Sequence, residues 1–72
     1  MLNKNNRNSN MIIKESLQLN SNVVVAQVYK DSFSGHEVEV EKLAEELGIY
    51  GRVLNYIIRD AGNMHNVTFL IR

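Results

Sequence analysis

Between positions 11 and 19 the apolar residues fall at Met11, Ile13, Leu17 and Leu19, a period of two that suits a strand with one buried face. Asn20-Ser21-Asn22 follows as a turn. Residues 23–30, with three consecutive valines and Tyr29, admit two readings. As a strand they close a hairpin against 11–19; as a helix capped by Ser21 or Asn22 they put Val24, Val25, Val28 and Tyr29 on one face. Asp31 to Gly35 reads as a turn, and residues 36–40 alternate charged and apolar like a very short strand. From Glu41 the period lengthens. Leu43, Ala44 and Leu47 make a helical stripe, Glu39 and Glu41 lie near the positive end of the helix dipole, and Gly48 follows where a left-handed C-cap is wanted. A second helix is predicted over 51–61, from Leu54, Ile57, Ile58 and Ala61 at i, i+3, i+4 and i+7, with Gly62-Asn63 as its stop. The competing reading of that stretch is a strand with Leu54, Tyr56 and Ile58 on one face. Residues 66–72 read as a strand.

Composition narrows what these elements can build. The chain has 72 residues, no cysteine and no proline. A chain of that size buries only about 60% of its unfolded surface, so a deep catalytic cleft is not expected and help from a second chain is. The expectation is no enzyme, no cofactor and no metal site: without Cys there is no thiolate zinc set, and His36 and His65 stand too far apart in sequence for a recognisable metal spacing. The longest apolar runs, 23–26 and 69–71, fall far short of the ~18 residues of a membrane span, and no signal-peptide pattern opens the chain. These features predict a soluble, cytoplasmic protein. Residues 1–10 contain five Asn and almost nothing to bury, which predicts a flexible arm ahead of one globular domain over 11–72; Met11 is a second candidate start.

Eight basic residues balance eight acidic ones, but unevenly along the chain. Residues 1–29 carry three basic against one acidic, a net of +2; residues 30–48 carry two against six, −4; residues 49–72 carry three against one, +2. The acidic third holds a block of Glu37, Glu39, Glu41, Glu45 and Glu46.

The stretch 40–59, VEKLAEELGIYGRVLNYIIR, resembles the helix-turn-helix of bacterial and phage transcription regulators. Ala44 matches the small residue at the helix crossing, Leu43 and Leu47 the core positions around it, Gly48 the turn, Ile49 the plug beneath it, and Leu54 with Ile57 the anchors of the second helix. Residues 35–40 are similar to the short strand ahead of this unit in winged-helix proteins. The resemblance implies an α+β, small winged-helix-like domain that binds double-stranded DNA as a transcription regulator and a homodimer, its helix over about 51–61 in the major groove. The exposed positions on that helix are Tyr50, Arg52, Asn55, Tyr56 and Arg59. Arg52 suits guanine and Asn55 adenine; Arg59 and Lys14 suit phosphates, and Lys4 and Arg7 of the arm suit an AT-rich minor groove. The sequence departs from the family in having Tyr50-Gly51 where a Ser, Thr or Asp cap is usual, and in leaving one strand where a wing has two.

A second reading makes the fold a ββαββ sheet with one helix, a protein-interaction module or phage-type inhibitor that meets a basic protein partner through its Glu37–Glu46 face. The two readings part at 23–30 and at 52–59, which are helices in the first and strands in the second.

Overall fold

The computed structural model describes residues 11–72, and the arm with Lys4 and Arg7 lies outside the described residues. The domain is α+β. Strands β1 (Ile13–Asn20) and β2 (Val23–Tyr29) form a hairpin, helix α1 (Glu37–Glu46) crosses one face, and β3 (Val53–Ala61) and β4 (Met64–Ile71) form a second hairpin. All neighbours are antiparallel and the sheet order is β1-β2-β4-β3, so β2 and β4, one strand from each hairpin, meet at its centre.

Residues 23–29 take the extended option because alternation there is strict once β4 is beside them. Val24, Ala26 and Val28 point beneath α1 and pair across to Phe69, Val67 and His65. Against them pack Phe33, Val40, Leu43, Ala44 and Ile49, so the core lies between the sheet and the single helix. Burial of Val, Leu, Ile and Phe side chains contributes about 1.5–3 kcal/mol each before conformational entropy is counted.

Three expectations are corrected. The second helix foreseen over 51–61 does not form: Tyr50–Arg52 is a short 3-10 turn and Val53–Ala61 is β3. The helical stripe of Leu54, Ile57, Ile58 and Ala61 loses to a strand pattern in which Val53, Tyr56 and Ile58 face α1, with a register irregularity between Val53 and Asn55 that breaks simple alternation. Eight paired positions with β4 satisfy the backbone of this β-branched and aromatic stretch. Residues 23–30 likewise form no helix. Residues 36–40 are not a short strand either, because the helix starts at Glu37.

Strand β1 departs from its expected single buried face. An irregularity between Ile13 and Glu15 leaves Ile13 toward the core and Leu17 and Leu19 on the opposite face, where they are 55% and 57% exposed.

The turns follow their side chains. Asn20 Oδ1 accepts the Asn22 amide at 2.8 Å and closes the first hairpin, and Gly62 turns the second at φ 70°. Helix α1 ends in a Schellman arrangement: Gly48 N–H donates to the Glu45 carbonyl and Ile49 N–H to the Ala44 carbonyl, with Gly48 at φ 76°. That bond pair tips Ile49 under the helix into the core. A Cβ at Gly48 would touch nothing within 4 Å, so its cost is purely conformational. Gly48→Ala is therefore expected to destabilise the domain by about 1–2 kcal/mol, read as a lower midpoint in urea unfolding with an unchanged slope.

Candidate interaction site

Only one face of α1 is buried, so the helix leaves a groove between itself and β3. Val40 and Ala44 from the helix and Phe69 from β4 form the floor. Tyr50, Leu54 and Tyr56 form the far wall; the near wall carries Glu37 and Glu41, one helical turn apart. The groove encloses about 430 Å³. Tyr56 is half-buried with its ring centroid 6.3 Å from that of Phe69, whereas Tyr50 and Leu54 are 55% and 58% exposed. The site thus presents apolar and aromatic surface beside two solvated carboxylates. Such a surface suits a cation on an aliphatic stem.

The remaining acidic residues divide. Glu45 and Glu46 are exposed at the far end of α1. Glu39 turns back at the third helical position, where its Oε1 accepts the Ser34 amide at 2.6 Å, the Gly35 amide at 3.1 Å and the Ser34 hydroxyl. The Ser34 hydroxyl has given its one proton to Glu39, so its oxygen accepts from Nδ1 of His36 at 3.0 Å. Partial burial pushes the Glu39 carboxyl up, but the Ser34 hydroxyl and amide, the Gly35 amide and nearby His36 outweigh it and hold the group below its ordinary 4.5. Glu39 is a structural cap, a role its spacing of three from His36 could have suggested.

The fold separates the basic residues proposed to contact DNA and gathers Tyr50, Asn55 and Tyr56 at the groove. Arg52 lies in the 3-10 turn, with its Nε donating to the Arg72 carbonyl at 3.0 Å while Arg72 Nη2 donates to the Gly51 carbonyl at 3.1 Å. Arg59 lies on the sheet face opposite α1, whereas Tyr50 and Tyr56 share the groove wall and Asn55, at the register irregularity opposite Leu70, also lines the groove. Asn55 Oδ1 accepts the amide of Tyr56. Lys14 sits on the edge strand β1, and Lys4 and Arg7 lie outside the described residues. Among the described residues, none of these side chains shares a helix face with another. The acidic helix and Arg59 occupy opposite sides of the sheet, so the acidic block does not screen Arg59.

His65 stacks edge-on against Phe33, ring centroids 5.8 Å apart, with Nδ1 3.4 Å from Asp60, whose other neighbour is Lys30 at 3.2 Å. Among the described residues no group of three His, Asp or Glu side chains is placed to hold a metal ion, and no helix is long and apolar enough to cross a membrane. Compared with known proteins, the chain matches no family model, no curated protein and no solved structure.

Because the folded-state value of Glu39 is lowered, its ionised form stabilises the native state above about pH 4.5, and that contribution is lost as pH falls through the lowered value. Glu39→Gln should cost about 1 kcal/mol at pH 7, the usual loss on removing a helix cap, and the gap to the parent should narrow below pH 4.5. Thermal unfolding followed by circular dichroism at pH 7 and pH 3 checks both parts.

Proposed function

We propose that this protein is a non-enzymatic interaction module that takes a basic, partly apolar segment of another protein into the groove between α1 and β3. The observation that carries the reading is the pairing, in one groove, of an apolar floor with the carboxylates of Glu37 and Glu41 on its rim. A Lys or Arg side chain can lay its methylenes on Val40, Tyr50 and Leu54 and leave its charge beside those carboxylates. Glu45 and Glu46 extend the negative potential along the helix and favour encounter with a basic surface. The opposite polarity of partner, an acidic segment or a phosphate backbone, meets repulsion on this side of the molecule.

The winged-helix DNA-binding reading places residues 51–61 in a major groove as a helix, and 53–61 is β3. Its remaining basic contacts, Arg52 and Arg59, stand at the sheet's end and on its far face. The protein-partner reading therefore accounts for more of the arrangement.

A fluorescein-labelled dodecapeptide of alternating Lys and Leu, with its Glu-for-Lys counterpart as control, tests the proposal by anisotropy and by amide shifts. The basic peptide should bind, move the amide signals of Val40, Ala44 and Leu54, and weaken about five- to thirtyfold with Glu37→Gln and Glu41→Gln together. Equal binding of the two peptides would overturn the reading. Tight, steeply salt-dependent binding of a random or AT-rich duplex in place of the peptide would replace it with the DNA reading.

A further inference from the structure

The face of the sheet turned away from α1 is built as rows whose members are set by the strand register. One row runs Leu17, Val25, Thr68, Ile57 across β1, β2, β4 and β3; the next runs Glu15, Gln27, Asn66, Arg59. Towards one end Val23 pairs with Leu70, and towards the other Tyr29 pairs with Met64. The face holds Leu17 and Leu19, and also Ile57 and Leu70, which are 53% and 46% exposed. Strand β2 is apolar on both sides, with Val24, Ala26 and Val28 under the helix and Val23, Val25 and Tyr29 on this face. An antiparallel strand with one solvated face alternates apolar with polar; apolar residues on both sides mark a strand covered twice.

We infer that this face is covered by the same face of a second copy of the chain, in a two-fold symmetric sandwich whose axis runs parallel to the strands between β2 and β4. A half-turn about that axis keeps every row at its own level and exchanges its two ends. It sets β1 over the second copy's β3 and β2 over its β4. Leu17 then meets Ile57, Val23 meets Leu70 and Tyr29 meets Met64, each apolar on apolar. In the polar row Glu15 meets Arg59, an acid on a base at each edge, and Gln27 meets Asn66. A half-turn about an axis across the strands would instead lay charged rows on apolar ones.

The size fits as well. Four strands about 4.8 Å apart and seven to nine residues long give the face a flat area of roughly 500 Å², the low end of specific interfaces and in keeping with a dimer that exchanges with monomer. Sheets packed face to face align within about 30°, and the offset this makes at the edges falls on Glu15 and Arg59, whose long side chains can span it. Other occupants lack this complement. Arg59 is the one basic residue in these rows, too little for a phosphate backbone or an anionic membrane, and the face carries one aromatic residue, Tyr29, near its end, too few to stack bases. The groove beside α1 lies on the other side and stays open in the pair.

Sedimentation equilibrium of the full chain across micromolar concentrations should show a monomer–dimer exchange. Glu15→Arg and Arg59→Glu, made singly, should each raise the dimer dissociation constant roughly tenfold, since each sets like charges opposite one another twice per dimer. The double variant should return it to near the parental value. That rescue cannot arise inside one chain, because the two residues stand on opposite edges of the sheet, three strand spacings or about 14 Å apart. Ile57→Lys, at an exposed position, should give a monomer with an unchanged far-ultraviolet spectrum. A parent that stays monomeric at several hundred micromolar, a dimer that survives Ile57→Lys, or a double variant as weak as the singles would overturn the inference.

Discussion

The ladder between β2 and β4 is the constraint on which the rest of the molecule depends. It joins residues thirty-five or more positions apart in sequence, and it carries Ala26, Val28, Val67 and Phe69, all fully buried. Each hairpin alone is a two-stranded ribbon of marginal stability in water. Joined through their inner strands, they make a four-stranded surface wide enough to bury one side of a ten-residue helix. The ladder also levels the two hairpins against each other. The placement of Glu15 and Arg59 in one row, and of Leu17 and Ile57 in the next, is a consequence of its register.

A single helix over a four-stranded sheet leaves the domain one-sided. The core is one layer thick, and the apolar surface that cannot reach it must either face water or meet another chain. That imbalance produces both surfaces of interest. On the helix side, α1 is too narrow to cover β3, and the uncovered strip with Tyr50, Leu54 and Tyr56 becomes the groove. On the far side nothing in the described chain covers Leu17, Leu19, Ile57 and Leu70. A basic segment and a second copy are different solutions to the same shortage of buried area in a small domain.

Parts of this were legible in the residues and parts were not, and the division follows the range of the interaction involved. The Asn20–Asn22 turn, the αL glycine at 48 and the stripe of Leu43 and Ala44 depend on neighbours within a few positions, and the structure has them where the pattern places them. The helix start was misplaced by a few residues because Glu39 reaches back to Ser34 and Gly35, converting an alternating charged stretch into a first turn. Residues 53–61 depart from the helical reading for a different reason. Leu54, Ile57, Ile58 and Ala61 satisfy a helical period, and residue spacing alone cannot weigh that against a backbone partner supplied from 64–71. With the helix went the grouping of Arg52, Asn55 and Arg59 as one reading face.

By itself the sequence determined the local events: where the chain turns, which residues could be buried, the acidic character of the helix and the division of charge into thirds. Those follow from backbone conformational preference and from side-chain chemistry, which act over a few residues. Only the tertiary structure decided that 23–29 and 53–61 are strands and on which side of the sheet each outward residue stands. The physical reason is that strand identity and register are set by hydrogen-bonding partners distant in sequence. A slip of one residue in that pairing would carry Leu17, Ile57 and Arg59 to the other face.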